Sequence, residues 1–246
     1  MLTDPVCGME LTPRGAAAMA LHQGRAYYFC SSACHEAFQS EPTRYAGRVP
    51  AAALTVGVMG SAGGDEPAAA ARLVRDLGAA VAGRGLTLIT GACPGLPLAA
   101  AQGAKAAAGL SVGISPGLSF DEHIHKYRSP ADAFDVLIYT GSGLMGREVT
   151  NIRSSDMVVL AGGRSGTLGE FAIAYDEGKL IGILEGTGGV TDHIPELVAG
   201  FDKDTGARLF YEADPDALMR RLTAFYTDQH FHRPSCFCED QAPGSG

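Results

Sequence analysis

Three short apolar runs in the middle of the chain are each followed by a glycine-rich turn and then by a segment of helical periodicity. The runs span residues 54–59, 86–90 and 156–161, and short buried runs bounded by glycine are typical of central strands. Helices are expected over about 67–82, from the second turn to about 108, and from Thr167 onward. Repeated strand–turn–helix units predict α/β architecture, with a Rossmann-like, doubly wound parallel sheet and helices on both faces. We therefore expect the three helix N-termini to open on one edge of the sheet.

The third unit carries the most chemistry. Thr167 followed three residues later by Glu170 fits a capping box, so a helix beginning at Thr167 would direct its free N–H groups toward the preceding glycines. Gly163, Ser165, Gly166 and Thr167 are therefore candidates for holding a phosphate. A tight turn with an ordinary helix cap, in which Glu170 only caps the helix, remains the alternative.

The two earlier turns are expected to line the same pocket. Gly60 and Ser61 follow the first strand, and Gly91 and Gly95 belong to the turn after the second. None of the three turns has the glycine spacing of a dinucleotide-binding fingerprint, and no acidic residue clearly ends the second strand. The pattern therefore favours one phosphate over a pyrophosphate.

Residues 54 to about 225 resemble the LOG (LONELY GUY) family and its wider group. The family pattern G-G-G-x-x-G-L-M-G, then R-K, then P-G-G-x-G-T-x-x-E corresponds here to residues 91–97, 147–148 and 162–170. The resemblance implies hydrolysis of the N-glycosidic bond of a nucleoside 5′-monophosphate, with Arg147 and Glu170 on the catalytic positions and no organic cofactor. It also implies a homodimer. The group carries an old lysine decarboxylase label, and decarboxylation is not expected.

Three departures from this pattern favour a second interpretation. Gly162 stands in place of proline, Arg164 in place of a glycine, and Glu148 in place of the lysine beside the arginine. These changes resemble the branch of the group that contains molybdenum-cofactor carrier proteins. A non-catalytic nucleotide or cofactor carrier, or a sensor of metal stress, is therefore the alternative function. For Arg147, the weaker alternative is a surface helix arginine paired with Glu148 or Asp156.

The first 45 residues differ in character from the rest of the chain. Cys7, Cys30 and Cys34 lie in a segment too small to bury a self-sufficient core, and such segments are commonly held together by a metal or a disulfide. An odd number of thiols and the lack of a secretory signal disfavour disulfides. The segment resembles the YHS domain, a treble-clef-like relative of TRASH metal-binding modules. This implies a soft metal ion, copper(I) or zinc, on the three thiolates.

Two points about this metal stay open. His22 and His35 are candidates for a fourth ligand, and a metal-free domain with three reduced core cysteines is the alternative. The end of the chain offers further soft donors, which either bind a second metal, complete the first site, or belong to a disordered tail: His230, His232, Cys236 and Cys238. We expect residues 46–53 to be a linker, 54–227 the nucleotide-binding domain, and 228–246 a flexible tail.

The connection at 120–127 contains two histidines beside carboxylates. It is expected to close over the ligand, and metal binding there is the weaker alternative. Cys93, in the second glycine turn, is expected to be a packing residue because no histidine accompanies it locally.

Composition limits the partners of the protein. A formal net charge of −8 over 246 residues argues against a nucleic-acid partner, for which a basic face is expected. No apolar run approaches the length of a membrane span, and no charged-then-apolar leader opens the chain, so the cytoplasm is the expected location. The expected partners are a nucleoside monophosphate or related nucleotide and a second copy of the chain.

Overall fold

The computed structural model describes residues 2–63 and 67–235 of the chain. The small N-terminal domain consists of two antiparallel strand pairs followed by two helices. Its elements are β1 (Leu2–Thr3), β2 (Glu10–Leu11), β3 (Ala18–His22), β4 (Arg25–Phe29), α1 (Ser32–Ser40) and α2 (Pro42–Tyr45). Phe29 and Phe38 are almost fully buried, and their ring centroids lie 5.1 Å apart. This aromatic cluster is the domain's own core.

The large domain is a seven-stranded parallel sheet covered by helices on both faces, which confirms the predicted α/β, Rossmann-like fold. Its strands are β5 (Thr55–Gly60), β6 (Thr87–Thr90), β7 (Ser111–Ser115), β8 (Val136–Tyr139), β9 (Met157–Ala161), β10 (Leu180–Leu184) and β11 (Arg208–Glu212). Its helices are α3 (Ala68–Ala82), α4 (Leu96–Ala106), α5 (Gly143–Arg153), α6 (Ser165–Asp176), α7 (Ile194–Ala199) and α8 (Pro215–Asp228). Among the described residues, no helix combines the length and apolar character needed to cross a bilayer.

The strand order places the topological switch in the middle of the sheet. The order is β11-β10-β9-β5-β6-β7-β8, so the chain first runs outward from β5 to β8 and then resumes on the other side of β5 with β9. Two apolar cores follow from this arrangement. One lies under α3, α4 and α8, and the other under α5, α6 and α7. The carboxyl ends of β5, β6 and β9 diverge at the switch, where open α/β sheets bind their ligands.

The small domain is fused to the large one through backbone and core contacts. Residues 46–53 connect the two domains and also bind β4, since the amide of Ala26 donates to the carbonyl of Ala52 at 3.0 Å. In the turn between β3 and β4, a Cβ on Gly24 would lie 1.8 Å from the carbonyl oxygen of Gly85. Only a residue without a side chain fits there.

The segment after α8 is folded as far as the structure describes it. A single 3₁₀ turn spans His230–His232, and Phe231 is 2% exposed with its ring centroid 6.0 Å from that of Tyr28. Residues 228–235, predicted to belong to a flexible tail, thus include the end of α8 and this turn. Phe231 contacts Tyr28, which lies 203 positions earlier in the sequence. Residues 236–246 lie outside the described part of the chain.

Candidate functional site

A cleft of about 200 Å³ opens at the carboxyl ends of β5, β6 and β9. The turns after these strands and the first halves of α5 and α6 form its walls. Its lining includes Gly60, Ser61, Gly91, Cys93, Leu144, Arg147, Glu148, Arg164, Ser165, Gly166, Thr167 and Glu170. Most of the site residues predicted from the sequence thus meet in one cleft. The other two support its walls: Gly95 packs against the carbonyl of Ser61, and Gly163 packs against Thr167.

Arg147 lies inside the cleft and not on the surface. Its side chain is 7% exposed, and its Nη1 donates to the carbonyl oxygen of Gly91. A Cβ on Gly91 would lie 1.6 Å from that nitrogen, so the glycine makes room for the guanidinium. The interpretation of Arg147 as a surface arginine paired with Asp156 is therefore wrong. The carboxylate of Asp156 instead accepts a hydrogen bond from the amide of Thr55 at 2.8 Å.

The capping box predicted at Thr167 is also wrong. Helix α6 begins at Ser165, with Arg164 at the N-cap position and no side-chain cap. Gly162 and Gly163 adopt φ angles of 58° and 91°, which turn the chain into the helix two residues earlier than expected. Thr167 is therefore inside the first turn, and Glu170 has no capping role.

Glu170 faces the cleft in an environment that favours its neutral form. It is 6% exposed, and burial raises the pKa of its carboxyl to about 7. The neighbouring Glu148 raises this pKa further, whereas the guanidinium of Arg147 and the side chain of Asn151 oppose the rise. A carboxyl group that titrates near neutral pH can both accept and donate a proton during a reaction.

Helix α5 presents a row of buried polar atoms beside Glu170. Among the described residues, four buried side-chain nitrogen or oxygen atoms have no hydrogen-bond partner, and three of them belong to α5: Arg147 Nε, Glu148 Oε2 and Asn151 Oδ1. Buried polar groups are normally paired, so such a concentration marks a ligand site or a strained one. Asn151 belongs to none of the sequence motifs, although its helical spacing of four residues from Arg147 places it on the same face.

Cys93 lines the cleft, and burial raises the pKa of its thiol. The guanidinium of Arg147 counteracts this effect. A thiol whose pKa lies above its ordinary value is mostly protonated at neutral pH and is a weak nucleophile.

The second candidate site lies in the small domain, where the three predicted cysteines converge. The Sγ atom of Cys30 is 3.6 Å from that of Cys7 and 3.8 Å from that of Cys34. A carboxylate oxygen of Asp4 joins them, and all four ligand atoms lie within 4.8 Å of one another. Three sulfur atoms and one oxygen at this spacing fit a soft, four-coordinate cation such as zinc.

Asp4 was not predicted as a site residue. Its carboxylate is fully buried and accepts hydrogen bonds from the backbone amides of Val6 at 2.8 Å and Cys30 at 2.9 Å. Although burial alone would raise the pKa of Asp4, these amides hold it below the ordinary value. The same carboxylate and the thiol of Cys7 raise the pKa of Cys30 to about 12. Asp4 is followed by Pro5, and its side chain accepts from the amide two residues on. This Asx-turn pattern is the sequence signal that could have identified Asp4.

The predicted histidine ligands lie elsewhere. His22 and His35 line a separate cleft between the small domain and α8, and neither belongs to the cysteine cluster. His230 is buried, which lowers its pKa to about 4, and no cluster of three donors surrounds it or His232 in the described residues. Cys236 and Cys238 lie outside the described residues.

The segment at 120–127 is a helical turn and not an open loop. Its wide turn spans Glu122–Lys126, and His123 is fully buried. The ring nitrogens of His123 lie 2.9 Å from Ser115 Oγ and 2.9 Å from the carbonyl oxygen of Pro130. Both nitrogens are therefore engaged in holding the turn, which leaves neither for a metal.

The chain is similar in sequence and in fold to several known proteins. An uncharacterised protein of Archaeoglobus fulgidus is 35% identical over 132 residues, which are 54% of this chain and 80% of the relative. The X-ray structure of the protein TM1055 is 26% identical, with a TM-score of 0.62 over 70% of this chain and 99% of that one. The molybdenum cofactor carrier protein of Chlamydomonas reinhardtii is 30% identical, with a TM-score of 0.55 over 70% of this chain and 98% of that one.

Two sequence families divide the chain between them. Residues 2–49 match the YHS domain, and residues 53–219 match the SLOG cluster4 family. The second match covers more than half of the 246 residues and includes the whole cleft. The chain therefore belongs to the SLOG cluster4 family and carries a YHS domain at its N-terminus.

Proposed function

We propose that the cleft binds a nucleoside 5′-monophosphate and hydrolyses its N-glycosidic bond, which releases the base and ribose 5-phosphate. The observation that supports this most is the pairing of a buried arginine with a buried carboxyl of raised pKa, Arg147 and Glu170. The free N–H groups of the first turn of α6, at Gly166 and Thr167, would hold the phosphate. Ser165 lines the same cleft and can donate a further hydrogen bond. Ser61 also lines it, and its hydroxyl donates to the carbonyl of Gly63 at 3.1 Å.

Glu170 has a defined task in this reaction. Cleavage of the N-glycosidic bond develops positive charge on the ribose ring, which an adjacent carboxylate stabilises. The ionised Glu170 would also take a proton from the attacking water. The hydroxyl group joins the anomeric carbon as the glycosidic bond breaks, and the proton held by Glu170 passes to the departing base. The forked donors of the Arg147 guanidinium would hold an anionic group of the ligand. The chemistry therefore calls for a carboxylate, and turnover should rise with pH through about 7.

Incubation of the protein with AMP and related monophosphates, followed by assay for free base, tests the proposal. Glu170→Gln should abolish release of base and leave ligand binding largely intact. Release of base by this variant would remove Glu170 from the mechanism. Binding of monophosphates without release of base by the wild type would overturn the hydrolase.

A carrier function is the second candidate. It is supported by the 30% identity to the molybdenum cofactor carrier protein of Chlamydomonas reinhardtii and by Glu148, a buried carboxyl in the same cleft. A carrier would bind a nucleotide or a related cofactor and return it unchanged. Recovery of intact ligand after prolonged incubation, together with measurable affinity, would favour this function over hydrolysis.

We infer that the small domain holds a soft metal ion, copper(I) or zinc, on Cys7, Cys30 and Cys34, with Asp4 as the neighbouring oxygen. When bound, the metal would replace the thiol protons and cross-link the two strand pairs to α1. Metal analysis should show one equivalent in the wild type and none in a Cys30→Ser, Cys34→Ser double variant. Cys93→Ser is the matched control and should keep its metal. Equal metal content in all three proteins would contradict the thiolate site.

Self-association is proposed through the β8 edge of the sheet. Leu118 and Met145 are 72% and 70% exposed, and Ile138 of the edge strand is 46% exposed. Exposed apolar groups of this size are typical of protein interfaces. Sedimentation should report a dimer for the wild type and a monomer for a Leu118→Lys, Met145→Lys variant. A monomeric wild type would contradict the proposal.

A further inference from the structure

Glu148 is a buried carboxyl that the proposed reaction does not use. It lies on α5 with 5% of its surface exposed, and its Oε2 has no hydrogen-bond partner. An ionised carboxylate is costly to bury in this way, because nothing replaces the hydrogen bonds that it makes to water. Glu148 therefore needs either a partner from outside the chain or a proton.

Its position relative to α6 decides which partner is relevant. A Cβ on Gly166 would lie 3.4 Å from Oε1 of Glu148, and a Cβ on Gly169 would lie 3.1 Å from Oε2. Glu148 thus packs along the first turn of α6, beside the amides proposed to hold a phosphate. A glycine inside a helix costs stability, and Gly169 accommodates this carboxyl at that cost.

The charges around the cleft do not balance an incoming phosphate. The titratable and charged side chains that line it are Arg147 and Glu148 on α5, Glu170 on α6, Arg164 before α6, and Cys93 after β6. Arg147 is the buried cation of this set, whereas Arg164 is exposed. A phosphate dianion would therefore meet one buried guanidinium and two buried carboxyl groups.

We propose that Glu148 is a specificity-determining residue that binds the phosphate of the ligand as a neutral carboxylic acid, so that one proton enters the site with each phosphate ester. The carboxylic acid then donates a hydrogen bond to a phosphate oxygen, where an ionised Glu148 would repel it. This inference rests on the proposed function, since it requires the phosphate at the first turn of α6. The site would therefore select a phosphate ester together with one proton, which resides on Glu148.

A proton fits the space around Glu148 better than a metal cation does. Oε2 is shielded from solvent, and the backbone of α6 at Gly169 leaves little room beside it. A divalent cation such as magnesium keeps several water molecules and needs that room. Burial also raises the pKa of Glu148, while the guanidinium of Arg147 only partly opposes the rise. The neutral form is therefore within reach before the ligand arrives.

Calorimetric titration with ribose 5-phosphate tests the proposal, because this probe cannot be hydrolysed further at the N-glycosidic position. Titrations at pH 8 in two buffers with different ionisation enthalpies give the number of protons taken up. We expect about one proton for the wild type, and about none for Glu148→Gln. The affinity of the wild type should fall by up to ~30-fold between pH 7.5 and pH 9, the limit for one linked proton, and that of the variant should change far less.

The Glu170→Gln variant distinguishes the role of Glu148 from that of Glu170. It should still take up one proton on binding. Loss of uptake in Glu170→Gln, with uptake retained in Glu148→Gln, would assign the proton to Glu170 and overturn the proposal. Uptake in both variants would assign it to the phosphate and overturn it as well. If Glu148→Gln does not fold, Glu148→Met provides the same readout. Binding without proton uptake would sink the role of Glu148 alone, whereas no binding by the wild type would sink the proposed phosphate site with it.

Discussion

Replacement of Glu170 by glutamine should stabilise the protein at alkaline pH and change little at acid pH. The buried carboxyl has a pKa of about 7 in the folded protein against an ordinary value of 4.5. Folding therefore keeps a proton on Glu170 that the unfolded chain releases. Glutamine resembles the protonated form in shape and is neutral at every pH. It therefore removes the cost of burying the ionised carboxylate, which the wild type bears at alkaline pH.

The size and direction of the effect follow from the two pKa values. Below pH 4.5 the group is protonated in both states, and its titration does not alter the free energy of unfolding. As the pH rises from 4.5 to 7, the wild type loses stability relative to the variant, and above about 7 the loss is complete. One pKa unit corresponds to about 1.4 kcal/mol, so the full difference is about 3 kcal/mol. At pH 5 it should be below about 1 kcal/mol.

Urea unfolding of both proteins at pH 5 and pH 8 measures this difference. Titrating groups that do not interact with Glu170 contribute equally to both proteins, so they cancel when the two are compared at the same pH. Glu185→Gln, which makes the same change at an exposed glutamate, is the matched control, and its effect on stability should be small. A Glu170→Gln effect of the same size at both pH values would refute the reasoning, because a raised pKa requires the difference to grow with pH.

Three further predictions concern other parts of the structure. Gly91→Ala should displace the guanidinium that lies against it and weaken ligand binding by roughly 10- to 100-fold, as measured by calorimetry, whereas Gly47→Ala, which faces open space, should have no effect. Phe231→Ala should lower the free energy of unfolding by about 3 kcal/mol, and an effect no larger than that of the exposed Gln229→Ala would contradict the shared core. Metal affinity of the cysteine cluster should rise with pH, because thiols must lose their protons to bind, and a flat profile in a competition titration would contradict thiolate ligands.

The sequence predicts the fold well because the relevant signals are local. Each central strand is a short apolar run that ends in glycine, and each prediction agrees with the observed strand to within one residue. The sequence places the start of α6 too late, because threonine followed three residues later by glutamate is a strong capping signal. The positive φ angles of Gly162 and Gly163 outweighed that signal, and they are not encoded in any capping pattern.

The sequence predicts which residues form the site, but it does not predict their burial or the resulting pKa values. Arg147 and Glu170 are found where the motifs place them, facing one cleft. Burial of Glu148 and Glu170, which raises the pKa of each carboxyl, arises from the packing of α5 against α6 on either side of β9 in the sequence. The contact between Phe231 and Tyr28 is of the same kind. Such long-range contacts have no local signature.

The close approach of Gly24 to Gly85 has a consequence for how this chain can be taken apart. The two domains are in backbone contact here and also share one apolar core. Neither domain can be excised without exposing apolar surface. Cleavage of the chain near residue 50 should therefore give two aggregation-prone fragments and not two independently stable domains. Transfer of the small domain to another protein would expose the same apolar surface.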